Sequence, residues 1–186
     1  MVPSLSVQSR LAQRQRIVRI NIALLIAAAM TWSMPALAVE QGDVAPKWQA
    51  LDLQGETVSF PEVSEGRPTV LIFWATWCPY CKAFMPYLKK IHEEYGAKRI
   101  LIVLVNAKDK DGDKDAYVDA LGFPVVAIRE GDAIAADYGI RFIPGLMVVD
   151  GSGTVSYRRS STDLPPGQTL AQLWSDRVGA ALDQAL

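Results

Sequence analysis

Phe73-Trp74-Ala75-Thr76-Trp77-Cys78-Pro79-Tyr80-Cys81 is the stretch on which the reading of this chain turns. Cys78 and Cys81 are the only two cysteines among 186 residues. They follow the apolar run Val70-Leu71-Ile72-Phe73-Trp74, which suits a strand at the centre of a sheet. Pro79 fits the first position of a helix, where no N–H is needed. A strand that delivers Cys-x-x-Cys to the first turn of a helix is the arrangement of a reversible dithiol. The helix N-terminus presents unpaired N–H groups and a positive dipole end, and both stabilise a thiolate. The thiolate is the nucleophile of disulfide exchange. Cys78, at the exposed helix end, is therefore the expected attacking thiol, and Cys81, turned inward, the resolving one.

Two plainer readings compete for the pair: an inert structural disulfide and half of a metal site. A structural zinc takes four Cys or His ligands. Beyond the cysteines the chain offers one histidine, His92, about three helical turns past Cys81. It reads as a helix-surface residue. The run Asp109-Lys110-Asp111-Gly112-Asp113 resembles a calcium loop only superficially. With Gly112 set sixth, Ala107 falls first and Val118 twelfth, where a carboxylate is required. The run is expected to be a solvated loop. The two sulfurs suffice for the chemistry, and neither a cofactor nor a metal is expected.

Outward from the motif, strands alternate with helices. Trp48–Leu53 and Thr57–Phe60 predict two short strands about the Gln54-Gly55 turn. Residues 64–68 read as a loop, and Thr69–Trp74 as a core strand. A helix is predicted over Pro79–Tyr95, kinked at Pro86 and closed by Gly96, with Phe84, Tyr87, Leu88 and Ile91 as its buried stripe. Further strands are expected at Arg99–Asn106, Pro124–Ile128, Gly145–Val149 and Thr154–Arg158. Helices are expected at Lys114–Leu121, Asp132–Tyr138 and Thr169–Leu182. The last would bury Leu170, Leu173, Trp174, Val178 and Leu182. Trp48 and Trp174 read as core residues, and Val39–Val44 as a mobile lead-in. The pattern implies one α/β domain with a mixed sheet.

The first 38 residues read differently. Arg10, Arg14, Arg16 and Arg19 precede an apolar run, Ile20–Trp32, and Ala36-Leu37-Ala38 supplies small residues at a cleavage site. That is the pattern of a secretory signal peptide, with an uncleaved N-terminal anchor as the competing reading. Residues 39–186 would be the domain, placed in the periplasm. The leader holds four of the 19 basic residues and none of the 20 acidic ones. The net charge of −1 therefore becomes −5 in the remainder, with 15 basic residues against 20 acidic. That balance argues against nucleic acid as a partner.

The motif run resembles the thioredoxin superfamily, and within it the exported TlpA/ResA-like thiol–disulfide oxidoreductases. Ile140-Arg141-Phe142-Ile143-Pro144 is similar to the segment in which that family holds a cis-proline against its disulfide. Pro86 stands where the family's active-site helix bends. The resemblance covers roughly residues 42–160. It implies a thioredoxin fold, a central mixed β-sheet flanked by helices. It implies that Pro144 is cis and shapes a groove, and that the Ile143 backbone pairs with an extended substrate strand. It makes Trp77 a lid over the disulfide rather than a core aromatic, and leaves Pro79 and Tyr80 to tune the redox potential. In two places the chain departs from the family. Phe84 and Ile72 stand where relatives keep a carboxylate near the second cysteine.

The resulting expectation is an exported reductase of protein disulfides that acts as a monomer. The resemblance implies apocytochrome c among its substrates, and an oxidising compartment implies a membrane thiol-reductant donor. Two alternatives stay open. One is a disulfide-introducing oxidase, against which the lack of a large helical insertion counts. The other is a thioredoxin-like metal- or partner-binding module, against which the lack of a Met/His-rich stretch counts.

Overall fold

The computed structural model describes residues 38–159 and 164–186. The expected leader lies outside the described residues, apart from Ala38. In chain order the strands are β1 (Trp48–Leu51), β2 (Thr57–Phe60), β3 (Thr69–Trp74), β4 (Leu101–Asn106), β5 (Val126–Ile128), β6 (Gly145–Val149) and β7 (Val155–Arg158). The helices are α1 (Pro79–Tyr95), α2 (Lys114–Asp119), α3 (Asp132–Asp137) and α4 (Leu170–Ala185). Five strands form a mixed sheet in the order β5-β4-β3-β6-β7, and β1 and β2 form a separate hairpin. β3, β4 and β5 run parallel, and β6 and β7 run antiparallel to their neighbours.

β3, β4 and β6 are buried along their whole length, which explains their unbroken apolar runs. Val70, Ile72, Trp74, Leu104 and Val148 face one core layer with α1 and α4. Leu71, Phe73, Val103, Met147 and Val149 face the other, covered by Trp48, Phe60, Ile134 and Tyr138. Both Trp48 and Trp174 are core residues, as their surroundings in sequence suggested.

α1 buries Phe84, Met85, Leu88, Ile91 and Tyr95. Its helix runs unbroken through the exposed Pro86 and ends at Gly96, whose positive φ of 79° suits a residue without Cβ. Tyr87, expected in the stripe, is only half-buried. α4 differs more. Ala171 and Ala181 are buried while Leu170 and Leu173 sit half-buried on the flank. The reason is close approach to α1, where the Tyr95 hydroxyl reaches Gly179 O at 3.1 Å and Asp183 Oδ1 at 2.7 Å.

The lead-in is not loose. Gly42 N–H donates to Val155 O, Val155 N–H to Asp43 O, and Ala45 N–H to Gly153 O, each at 2.9 Å. The segment thus pairs with the outer edge of β7, whose backbone groups need partners, and it buries Val39 and Ala45. At the opposite edge, Leu53 N–H donates to Ala127 O and Arg129 N–H to Leu51 O, which ties the hairpin to β5. β1 stops at Leu51 because the Asp52 carboxylate accepts from Gln54 and Glu56 N–H and turns the chain. β4 starts at Leu101 because Arg99 and Ile100 still bond to Gly96 O.

Candidate active site

Strand register brings three loops to one end of the sheet. Phe73 lies opposite Val105 on β4 and opposite Gly145 on β6, and Trp74 lies opposite Asn106. The turn leaving β3, the loop leaving β4 and the segment entering β6 therefore converge beside the first turn of α1. Loops beyond the carboxyl ends of parallel strands are where α/β sheets build their sites.

Cys78 is the N-cap of α1, in extended geometry (φ −80°, ψ 111°). It forms a disulfide with Cys81 across a Cα–Cα distance of 5.3 Å. Cys78 Sγ accepts a hydrogen bond from Cys81 N–H at 3.1 Å. Both sulfurs are covered: Cys78 is 2% exposed and Cys81 0%. The expectation of an exposed first cysteine is thereby corrected. In the disulfide its sulfur is drawn inward over the helix turn toward Cys81. The exposed groups at this helix end are instead Trp77 (58%), Pro79 and Tyr80 (56%). The Tyr80 ring meets Trp174 edge-on, with centroids 6.4 Å apart.

The Ile143–Pro144 peptide is cis, the isomer the resemblance implied. The Phe60–Pro61 peptide is cis as well, which nothing in the sequence suggested. Pro144 is buried and Ile143 half-buried, while Phe142 is 76% exposed.

The loop leaving β4 is largely the solvated charge run expected, with Lys110, Asp111 and Asp113 exposed, and it departs from that expectation at one residue. Asp109 is buried. Its carboxylate accepts from Thr76 N–H at 2.6 Å, Thr76 Oγ1 at 3.1 Å, Asn106 Nδ2 at 3.1 Å and Gly112 N–H at 3.2 Å. Burial pushes the Asp109 pKa up, but these bonds outweigh it, with help from the Lys114 charge. They hold it below the ordinary carboxylate value. A Cβ on Gly112 would collide with Thr76 Oγ1 and the Asp109 carboxylate, so only glycine lets this loop close. Next to it, the Lys108 carbonyl accepts from Trp77 Nε1 at 2.8 Å.

Comparison with known proteins accords with this geometry. The AhpC/TSA family matches residues 41–158. The chain belongs to that family. It is 34% identical over 116 residues to the thiol-disulfide oxidoreductase ResA of Halalkalibacterium halodurans, a match covering 61% of this chain and 65% of that protein. The chain thus aligns with just under two thirds of that relative. It is 29% identical over 171 residues to the thiol:disulfide interchange protein DsbE of Escherichia coli K12, covering 84% and 87%. The thioredoxin domain of a thiol-disulfide oxidoreductase from Bacteroides vulgatus superposes with a TM-score of 0.58 at 24% identity, covering 68% and 92%, which shows the fold. The protein is a thiol–disulfide oxidoreductase of the thioredoxin fold, and its Cys78–Cys81 disulfide fits a redox-active site.

Phe84 and Ile72 are fully buried and share one apolar layer with Cys81. Among the described residues Asp109 is the one buried carboxylate, and its bonds run to the β3 turn rather than to a sulfur. His92 stacks on Phe123, with ring centroids 5.3 Å apart, on the flank of α1. Sequence reasoning missed Thr76, Lys108, Asp109 and Phe142. Phe142 was visible as an apolar residue between Arg141 and the Ile-Pro pair. Asp109 carried no such signal, because its partner Thr76 lies 33 residues away.

Proposed function

We propose that this protein is an exported reductase of protein disulfides, with Cys78 attacking and Cys81 resolving. The observation that carries the assignment of roles is the bond from Cys81 N–H to Cys78 Sγ at a helix N-cap. A donor aimed at that sulfur and the helix dipole both favour its thiolate. Trp77, Pro79 and Tyr80 border the pair, and Pro144 with Ile143 forms the facing wall, where an extended polypeptide pairs with the Ile143 backbone.

The Cys78 thiolate attacks one sulfur of the substrate disulfide. A mixed disulfide forms and the first substrate sulfur leaves as a thiolate, which takes a proton from water. Cys81 then loses its proton and attacks Cys78 Sγ, releasing the second substrate thiolate. Two electrons have moved: the substrate gains two thiols and the protein keeps a Cys78–Cys81 disulfide. A membrane-bound dithiol donor restores the reduced pair. The family resemblance supports apocytochrome c as a substrate, and the basic, apolar, Ala-Leu-Ala leader supports a periplasmic domain.

Cys78→Ser abolishes turnover, and Cys81→Ser accumulates mixed disulfides that non-reducing electrophoresis detects. Faster alkylation of Cys81 than Cys78 in the reduced protein would reverse the two roles. The reduction potential decides direction: a reductase lies near −270 mV or below, and a value near −120 mV makes the protein an oxidant. N-terminal sequencing of the periplasmic form reads Val39 if the leader is cleaved.

A further inference from the structure

Lys108 is an exposed lysine in a charged loop, and the reaction above makes no use of it. Its contacts are nevertheless specific. Its N–H donates to Asp132 Oδ1 at 2.7 Å, and its carbonyl accepts from Trp77 Nε1 at 2.8 Å. Its ammonium donates to the carbonyl of Arg141 at 2.7 Å. Arg141 precedes Phe142 and stands three residues before the cis-proline. One residue therefore touches both walls that flank the disulfide, the Trp77 side and the Arg141–Pro144 side. Its backbone is held from below by Asp132 and, through its neighbour Asp109, by the Thr76 turn. Lys108 also has a φ of +60°, a conformation that L residues other than Asn and Asp rarely take. Glycine would sit at such a position without strain.

We propose that Lys108 is a positioning residue that fixes the spacing between the Trp77 wall and the Arg141–Phe142 wall, and so sets affinity for polypeptide disulfides. Trp77 and Phe142, one on each wall, are exposed aromatic side chains that a polypeptide in the groove would meet. A small dithiol reaches the sulfurs without spanning the groove and does not sense the spacing. This inference rests on the disulfide-exchange chemistry of the site and not on its direction.

The positive φ supplies a clean test. Lys108→Gly suits the left-handed backbone and keeps both backbone hydrogen bonds, so it removes the ammonium and its stem alone. Lys108→Met removes the ammonium and keeps the stem. Lys108→Arg restores a donor. Each is made in the full chain and assayed with insulin as the polypeptide and dithiothreitol as the small dithiol. Exchange is followed in whichever direction the wild type runs it, and the potential is read against glutathione. Glycine and methionine are expected to raise KM for insulin roughly threefold to tenfold, with kcat little changed, as loss of one charge-assisted bond used in binding implies. The dithiothreitol rate and the potential stay at wild-type values, and arginine recovers most of the loss. An unchanged KM for insulin overturns the proposal. So does a parallel change in the dithiothreitol rate or the potential, which would mean that the ammonium acts on the sulfurs by charge. A loss in the glycine variant alone would place the effect in the packing of the stem and overturn it too, as would failure of arginine to rescue.

Discussion

Cys81 shares its apolar layer with Ile72 and Phe84, and no carboxylate has taken their place. Burial in that layer disfavours the charged thiolate of Cys81 once the pair is reduced. Resolution of the mixed disulfide is then slow near neutral pH and quickens as pH rises. Phe84→Glu supplies a base at that site. A positioned general base contributes typically about 10²–10⁴-fold, so the variant should resolve faster near pH 7. Single-turnover kinetics across pH, with thermal melts to confirm folding, test this: a folded variant that resolves no faster means that another group or water already carries the proton, or that proton transfer is not limiting. The cysteine pair was legible because its spacing is local. Asp109 was not, because what distinguishes it from Asp111 and Asp113 is the Thr76 amide brought to it by the pairing of β3 with β4.

Among the elements, α1 and α4 depend on each other. Tyr95 closes α1 and donates to both Gly179 O and Asp183 on α4. Burial, then the Asp183 carboxylate, push the Tyr95 pKa up from its ordinary 10.0 to about 12. The neutral phenol is the form the fold prefers. Its stabilisation is therefore fully present below pH 10 and is lost as pH rises from 10 to 12. Tyr95→Phe should lower stability at pH 7 by about 1 kcal/mol, the usual net worth of such a bond. Urea titrations of the two proteins should converge as pH climbs through that window; a difference that persists at pH 12 argues against this bond as its source. The course of α1 was readable from its cap, its stripe and Gly96. The buried face of α4 was misjudged because Leu173 outranks Ala181 in hydropathy, while the helix contact selects for small size.

Over the whole molecule, both sheet edges are covered, one by the hairpin and the other by residues 42–45. Removing residues 39–45 should expose the β7 edge and the Val39 and Ala45 contacts. A loss of about 2 kcal/mol, or roughly 4–8 °C in Tm for a chain of this size, is expected by calorimetry. Self-association should rise with it, because an open edge pairs with other edges. An unchanged Tm would mean that the lead-in adds nothing to the sheet. The sequence by itself determined the strand–turn–helix about Cys78 and Cys81, the alternation that makes a mixed α/β sheet, and the proline that enters β6. Those features depend on periodicity, capping and spacing within one stretch of chain. Tertiary structure alone decided that the lead-in is a partner of β7, that Cys78 is covered, and that Lys108 and Asp109 join loops far apart in sequence. The Lys108 and Asp109 contacts join segments that the register of β3 with β4 and β6 brings together, and the lead-in meets β7 across more than a hundred residues of chain, so no local pattern records either.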